Sequence, residues 1–259
     1  MVPLVSRWAL RLAPVWGLVL LLLAWESAVA VAQIPRFLLP APSRVVAKLA
    51  ANPGYLAAQV GQTAIEAVVG LAIAIVVASI LAVIITRSAL LERVVYPYLV
   101  LIQVTPIVAV APLLIIWLGS GTEPKIAIAA LIAFFPIVVN VTAGLKSADG
   151  AALELMRSLA ASERHTFGLV RIPYAMPFAF ASLRIAAPVA VVGAIVGEMV
   201  GSDKGLGFVI IRAKGILDTE LLFLGILGSA VLGIGLFLAF VLLERFAMRS
   251  RRPTGTRPA

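Results

Sequence analysis

Six apolar runs of about twenty residues or more, separated by polar connections, constrain this chain more than any other feature. They are Leu12–Val31, Ala64–Ile85, Val94–Leu118, Ile126–Leu145, Phe178–Val200 and Leu221–Phe246. A bilayer core about 30 Å thick needs about 20 mostly apolar residues per helix. Strands of a membrane barrel alternate polar and apolar residues, and these runs do not. The expected fold class is therefore an all-α integral membrane protein with six transmembrane helices. Composition agrees: 62% of the 259 residues are hydrophobic and 13% charged, against about 45–50% and about 25% in a soluble domain. A soluble globule cannot cover that much apolar surface with so few charges.

The distribution of charge sets orientation. With the N-terminus inside, thirteen of the 21 Lys and Arg lie in inner connections and ends, seven lie outside, and Arg184 falls within the fifth run. Basic residues gather on the cytoplasmic side, so both termini are expected there. The same pattern accounts for the net charge of +9 without a basic face for nucleic acid, and no nucleic-acid partner is expected. Arg7, Arg11 and the Ala28-Val-Ala30 string also read as a secretory signal. The run is longer than a signal core, and Trp25 and Glu26 interrupt its end, so an uncleaved helix is expected.

Three regions follow: 1–60, an N-terminal helix and outer loop; 61–246, the transmembrane core with an inner connection at 146–176; and 247–259, a basic tail. The outer loop holds a short helix over 43–51 with Ser43 as its N-cap. The tail from Arg249 onward is expected to lie disordered against the inner leaflet.

Much chemistry is missing. No G-x-x-x-x-G-K-[ST] loop cradles a nucleotide. Cysteine is absent and His165 is the lone histidine, which removes thiolate and H-E-x-x-H metal sites. No catalytic residue, metal site or resident cofactor is expected. A self-sufficient secondary carrier is the alternative reading, but such carriers place ionisable groups in the membrane, and only Glu66 and Glu198 near span ends qualify here. Energy is therefore expected from a partner.

The inner connection is the most informative segment. Asp149 stands where it can cap a helix starting near Gly150. Leu153, Met156, Leu159 and Ala160 follow helical spacing, with Glu154 and Arg157 beside that stripe. Ser162, Arg171-Ile-Pro173 and Pro177 signal breaks before the next span. By spacing alone the helix docks a soluble partner or rests on lipid.

The run Glu154-Leu-Met-Arg-Ser-Leu-Ala160, followed by Val170-Arg-Ile172-Pro173, resembles the "EAA" loop of importer permeases of the ATP-binding-cassette class. Leu155 and Met156 stand in place of that pattern's alanines, and Ala160 in place of its glycine. Trp117-Leu-Gly-Ser-Gly121, Phe134-Phe-Pro136 with Asn140, and Gly197-Glu-Met-Val-Gly201 leading to Gly205-Leu-Gly207 are similar to permeases for nitrate, sulfonate and taurine. The string Val192–Glu198 looks closest to the branch for thiamine-pyrimidine precursors or riboflavin. The resemblance implies a type I importer permease in a bacterial inner membrane, acting as a dimer of such subunits. Two cytoplasmic ATPases, carrying ATP and Mg, would bind below, and a solute-binding protein would deliver a small solute from outside. It further implies that Glu154 and Arg157 would lie at the ATPase contact, with Met156, Leu159 and Ala160 filling its groove.

Polar residues inside the spans are the candidates for a pathway or gate. Gln103 and Thr105 sit among Pro97, Pro106 and Pro112 in the third run, and Asn140 follows Pro136 in the fourth. Each either lines the pathway or shapes a kink and bonds its own helix. Arg184 is placed to snorkel to the inner interface. Glu198, followed by Gly201 and Gly205-Leu-Gly207, either forms an outer gate or reaches interfacial water and Lys204. The scarcity of charge in mid-membrane favours a neutral or weakly charged solute.

Overall fold

The computed structural model describes residues 7–249, and every regular element among them is helical. In chain order these are α1 (Arg7–Val31), α2 (Pro42–Ala51), α3 (Pro53–Thr86), α4 (Ala89–Val104), α5 (Ile107–Leu118) and α6 (Glu123–Lys146). Then come α7 (Gly150–Ser158), α8 (Glu163–Thr166), a π-helical turn at Phe167–Arg171, α9 (Ile172–Gly201), α10 (Leu206–Gly215) and α11 (Thr219–Arg249). Among the described residues, four helices are long and apolar enough to cross a bilayer, or five if α4 and α5 form one broken span. The chain is an all-helical, multi-pass membrane protein.

Helices α3, α6 and α9 form the centre. Ala67, Leu71, Ala74, Ala78 and Ala82 recur every three or four residues on α3 and are buried against Ala129 and Ala133 of α6 and Ala186, Ala190 and Ala194 of α9. Lipid tails are as apolar as leucine, so burial alone does not draw helices together in a membrane. Close backbone packing does, and small residues permit it. Ala129 shows the limit: a Cβ on Gly70 would lie 2.6 Å from its Cβ, and one on Gly193 would lie 2.7 Å from its Cα.

The periphery is pinned by polar contacts. Lys48 of α2 reaches Asp218 at 2.7 Å, and Asp218 accepts from the Leu221 N–H at 3.0 Å to cap α11. The hydrogen bond to Asp218 raises the Lys48 ammonium. Partial burial pushes Asp218 up, but Lys48 and the Leu221 N–H outweigh it and hold the carboxyl below its ordinary value. The end of α1 is fixed by Glu26, which accepts from the Ser43 N–H at 3.0 Å and its hydroxyl at 2.6 Å. That contact corrects the expected cap: Ala41 is the N-cap of α2, and Pro42 occupies its first turn.

Two further expectations are corrected. The third apolar run is not one helix, because α4 and α5 meet at 96°. Pro106 has no N–H and forces the residue before it out of the helical region, and Thr105 is extended at ψ 123°. The breaks expected at Pro173 and Pro177 do not occur: Glu163–Gly201 is continuous over 39 residues. The wide turn at Phe167–Arg171 lies just before Pro173 and makes room for its ring. Arg184, 35% exposed at its side chain, pairs with Glu244 of α11 at 3.2 Å. Of the basic tail, residues 250–259 lie outside the described residues.

The core makes a sharp prediction. Gly193→Val puts its Cβ against the Ala129 backbone and is expected to cost at least about 2–3 kcal/mol by overpacking. Gly61→Ala, which meets nothing within 4 Å, is expected to be neutral or slightly stabilising as a helix-interior replacement. Thermal unfolding of the two purified variants in one detergent checks the contrast.

Candidate functional site

Two ends of the bundle carry the candidate residues. At one end α7 projects from the connection between α6 and α9. Asp149 occupies its N-cap position, although its side chain makes no capping bond. No residue of α7 is fully buried. Glu154 and Arg157 are exposed, whereas Leu153 and Met156 are half-buried. Leu155 and Leu159 are 59% and 67% exposed, so Leu155 joins Leu159 on the free face. Met156, on the expected stripe, is less exposed than either.

The helix stops short of the last two residues of the expected stripe, Leu159 and Ala160. The helix stops at Ser158, Leu159 is its C-cap, and Ala160 takes a left-handed backbone at φ 50°. The Ala161 N–H bonds the Met156 carbonyl at 3.0 Å and the Ala160 N–H bonds Arg157 at 2.9 Å. This paired closure is the Schellman arrangement, which glycine usually occupies at the left-handed position. Ala160 therefore makes the turn that glycine makes in the resembling pattern, with a Cβ cost of about 1–2 kcal/mol. Next, Ser162 caps α8, its Oγ lying 2.8 Å from His165 Nδ1, so His165 serves the loop's local structure.

At the opposite end lies a buried polar clamp. Glu198 is 1% exposed and reaches neither water nor Lys204. Its Oε1 accepts from Thr63 Oγ at 2.7 Å and its Oε2 from the Gly207 N–H at 2.6 Å. Thr63 Oγ in turn accepts from the Leu206 N–H at 2.9 Å, and Gln59 Oε1 accepts from the Gly205 N–H at 2.6 Å. Three successive donors at the start of α10 are thus satisfied by side chains of α3 and α9. A helix N-terminus leaves such N–H groups unpaired and favours negative charge. Gly205 adopts φ +93°, and a Cβ there would collide with the Glu198 carboxylate.

Two further buried ionisable residues flank the clamp. Glu66 is 1% exposed and accepts from Gln62 Nε2 at 2.9 Å. Lys125, 2% exposed, donates to the Ser120 and Gly121 carbonyls at 2.7 and 2.5 Å, which ties down the turn between α5 and α6. Sequence reasoning missed Gln59, Thr63 and Lys125. The spacing of Gln59, Thr63 and Glu66 along one helical face was the available signal, but the span was begun at Ala64.

The remaining candidates are scattered. Gln103 and Thr105 are exposed at the α4–α5 break, and Thr105 Oγ donates to the Leu101 carbonyl at 2.7 Å. Asn140 is half-buried on α6, where its side-chain amide donates to the Pro136 carbonyl at 2.8 Å. The structure does not bring Gln103, Thr105, Asn140 and Glu198 into one site. Among the described residues, no cluster of acids and histidine could hold a metal.

Residues 45–251 match the family described as binding-protein-dependent transport system inner membrane component. The chain belongs to that family. It is an ABC importer permease, a transport component rather than an enzyme. It is 33% identical to a probable ABC transporter permease of Haemophilus influenzae, over 87% of this chain and 93% of the relative. It is 33% identical to the formylaminopyrimidine transport permease of Halalkalibacterium halodurans, over 93% and 96%. It is 34% identical to the riboflavin transport system permease of Chloroflexus aurantiacus, over 90% and 87%.

Two outcomes follow for this permease. Glu198→Ala leaves the Gly207 N–H without its acceptor, while the Thr63 hydroxyl can turn to the Gln59 carbonyl, and is expected to cost about 1–3 kcal/mol. Glu198→Gln, which keeps one acceptor oxygen, should lose less than half as much; thermal unfolding in detergent reads both. Ala160→Gly relieves the left-handed Cβ and is expected to steady α7 by about 1 kcal/mol, seen as slower amide hydrogen exchange over 150–161.

Proposed function

We propose that this chain is the membrane subunit of an ATP-driven importer, forming with a second copy the pathway for a small solute. A separate solute-binding protein delivers the solute, and two ATPases, which hold the ATP and Mg, couple to the 146–176 connection. This reading has the chain cross a bacterial inner membrane six times with both ends in the cytoplasm. Helix α1 is then the first span, α4 and α5 the broken third, and residues 61–246 the transport core.

The observation that carries the proposal is α7: nine residues, none fully buried, with Glu154, Leu155 and Leu159 on its free face. An amphipathic helix of this kind seats its apolar side chains in a groove of a partner. In this role Leu155, Leu159 and Ala160 meet the ATPase while Glu154 and Arg157 add polar contacts. Met156, half-buried, joins them at the groove. Membership in a binding-protein-dependent transport family supplies the context.

For the solute we propose a neutral or weakly charged heteroaromatic compound. The formylaminopyrimidine and riboflavin permeases match nearly the whole chain, and both named solutes are compounds of that class. Gln103, Thr105, Asn140 and Glu198 remain the pathway and gate candidates. Gln103 and Thr105 are the more accessible of them, whereas Glu198 acts through its hold on α10.

Tagged chain purified from native membranes is expected to bring down a cytoplasmic ATPase. Glu154→Arg should abolish both that association and ATP-dependent uptake while leaving the chain in the membrane. Association and uptake that survive Glu154→Arg would overturn the coupling role. Uptake that collapses with a protonophore at constant ATP would instead favour a secondary carrier.

A further inference from the structure

A cavity of about 820 Å³ opens between α7, the α8–α9 junction and the C-terminal end of α3, within the roughly 300–1,000 Å³ range of ligand sites. Four arginines line it, Arg87, Arg157, Arg164 and Arg171, against one carboxylate, Glu163. Among the described residues none of the four is in an ion pair. Arg171 spends one donor on the Leu145 carbonyl at 3.4 Å. The side chains of Arg87, Arg157 and Arg164 have no hydrogen-bond partner among the described residues. Each guanidinium carries five donors in a planar fork that matches phosphate oxygens. Three such forks, exposed around one hollow, present a basic surface that suits an anion.

We propose that this cavity holds the phosphate-bearing headgroup of an anionic membrane lipid. Its position selects the source of the phosphate. Arg87 follows the last residue of α3, and Ile172 lies near the Glu163 end of the continuous helix Glu163–Gly201, so the hollow sits beside the ends of two membrane helices. Ile172 both lines the cavity and is 43% exposed, and the neighbouring Leu169 is 68% exposed. An apolar flank beside a basic hollow suits a ligand with acyl chains, and a free anion would leave that flank idle. Basic pockets of this kind at the cytoplasmic surface take anionic headgroups. The headgroup ties the α7 connection to the end of α3 by bridging Arg164 to Arg87. The proposal rests on the permease reading only in placing this connection on the side where anionic lipid concentrates.

The test titrates the full-length chain in mild detergent with phosphatidylglycerol and, separately, phosphatidylcholine, with retained lipid counted by native mass spectrometry. Phosphatidylglycerol is expected to bind preferentially. Arg87→Gln combined with Arg164→Gln should weaken it about thirtyfold while leaving phosphatidylcholine unchanged, and Glu163→Gln should tighten it about fivefold. The opposite signs separate a lost contact from a misfolded chain. Phosphatidylglycerol retained equally by all variants would overturn the proposal, and displacement of the bound lipid by inorganic phosphate would reassign the site to a free anion. If the double variant keeps its lipid and loses only an associated ATPase, the arginines serve a protein contact and the lipid is excluded. Lipid retention needs neither ATPase nor transport, so this test and that of Glu154 fail independently.

Discussion

The Gly205, Leu206 and Gly207 N–H groups start α10 inside the bundle, where water is not available to satisfy them. An unpaired backbone donor in such a place costs several kcal/mol, so the side chains of Gln59, Thr63 and Glu198 decide whether the segment can sit there at all. Their hold fixes more than one helix. Leu206, Val209 and Ala213 of α10 are buried, and α11 packs on α10 and α9. Gly207 approaches α9 so closely that a Cβ there would lie 2.7 Å from the Glu198 Cβ. The clamp and the close approach require one another.

Much of the architecture was legible because lipid imposes long apolar helices. The runs later seen as α6, α9 and α11 fell inside the observed helices. The alanine and glycine stripe of α3 was equally visible, since small residues at spacings of three and four are what close packing requires. The clamp was half legible. Glu198 stood out as an acid at the end of an apolar run, but its partners Gln59 and Thr63 lie about 140 positions earlier in the chain. Hydropathy, which reads one window at a time, left both outside the span that starts at Ala64. It also cannot distinguish a kink from a break: Pro106 was expected only to kink its span and Pro173 to break the chain, and the structure has the reverse.

At the α7 end, the pattern was read more accurately than the detailed geometry. A loop built to turn sharply after a short helix needs one residue in the left-handed region, and Ala160 occupies it. The same device recurs after α10, where Leu217 takes φ 55° and the Asp218 N–H reaches the Ala213 carbonyl at 2.9 Å. Neither residue is a glycine, so both turns are made against local preference. Helix packing and the Lys48–Asp218 contact hold the second. The first has no buried neighbour on α7 to hold it, and that exposes the connection to whatever binds there.

The unbroken run from Glu163 to Gly201 is a rod about 58 Å long at 1.5 Å per residue, nearly twice the hydrocarbon thickness. One tip adjoins the α7 turn and the other carries Glu198. A lever of this length converts a tilt of a few degrees at one tip into a displacement of several ångströms at the other. The wide turn at Phe167–Arg171 is the one place along it where the winding departs from an α-helix. Any force entering at α7 is therefore either absorbed as twist within those five residues or delivered to the start of α10.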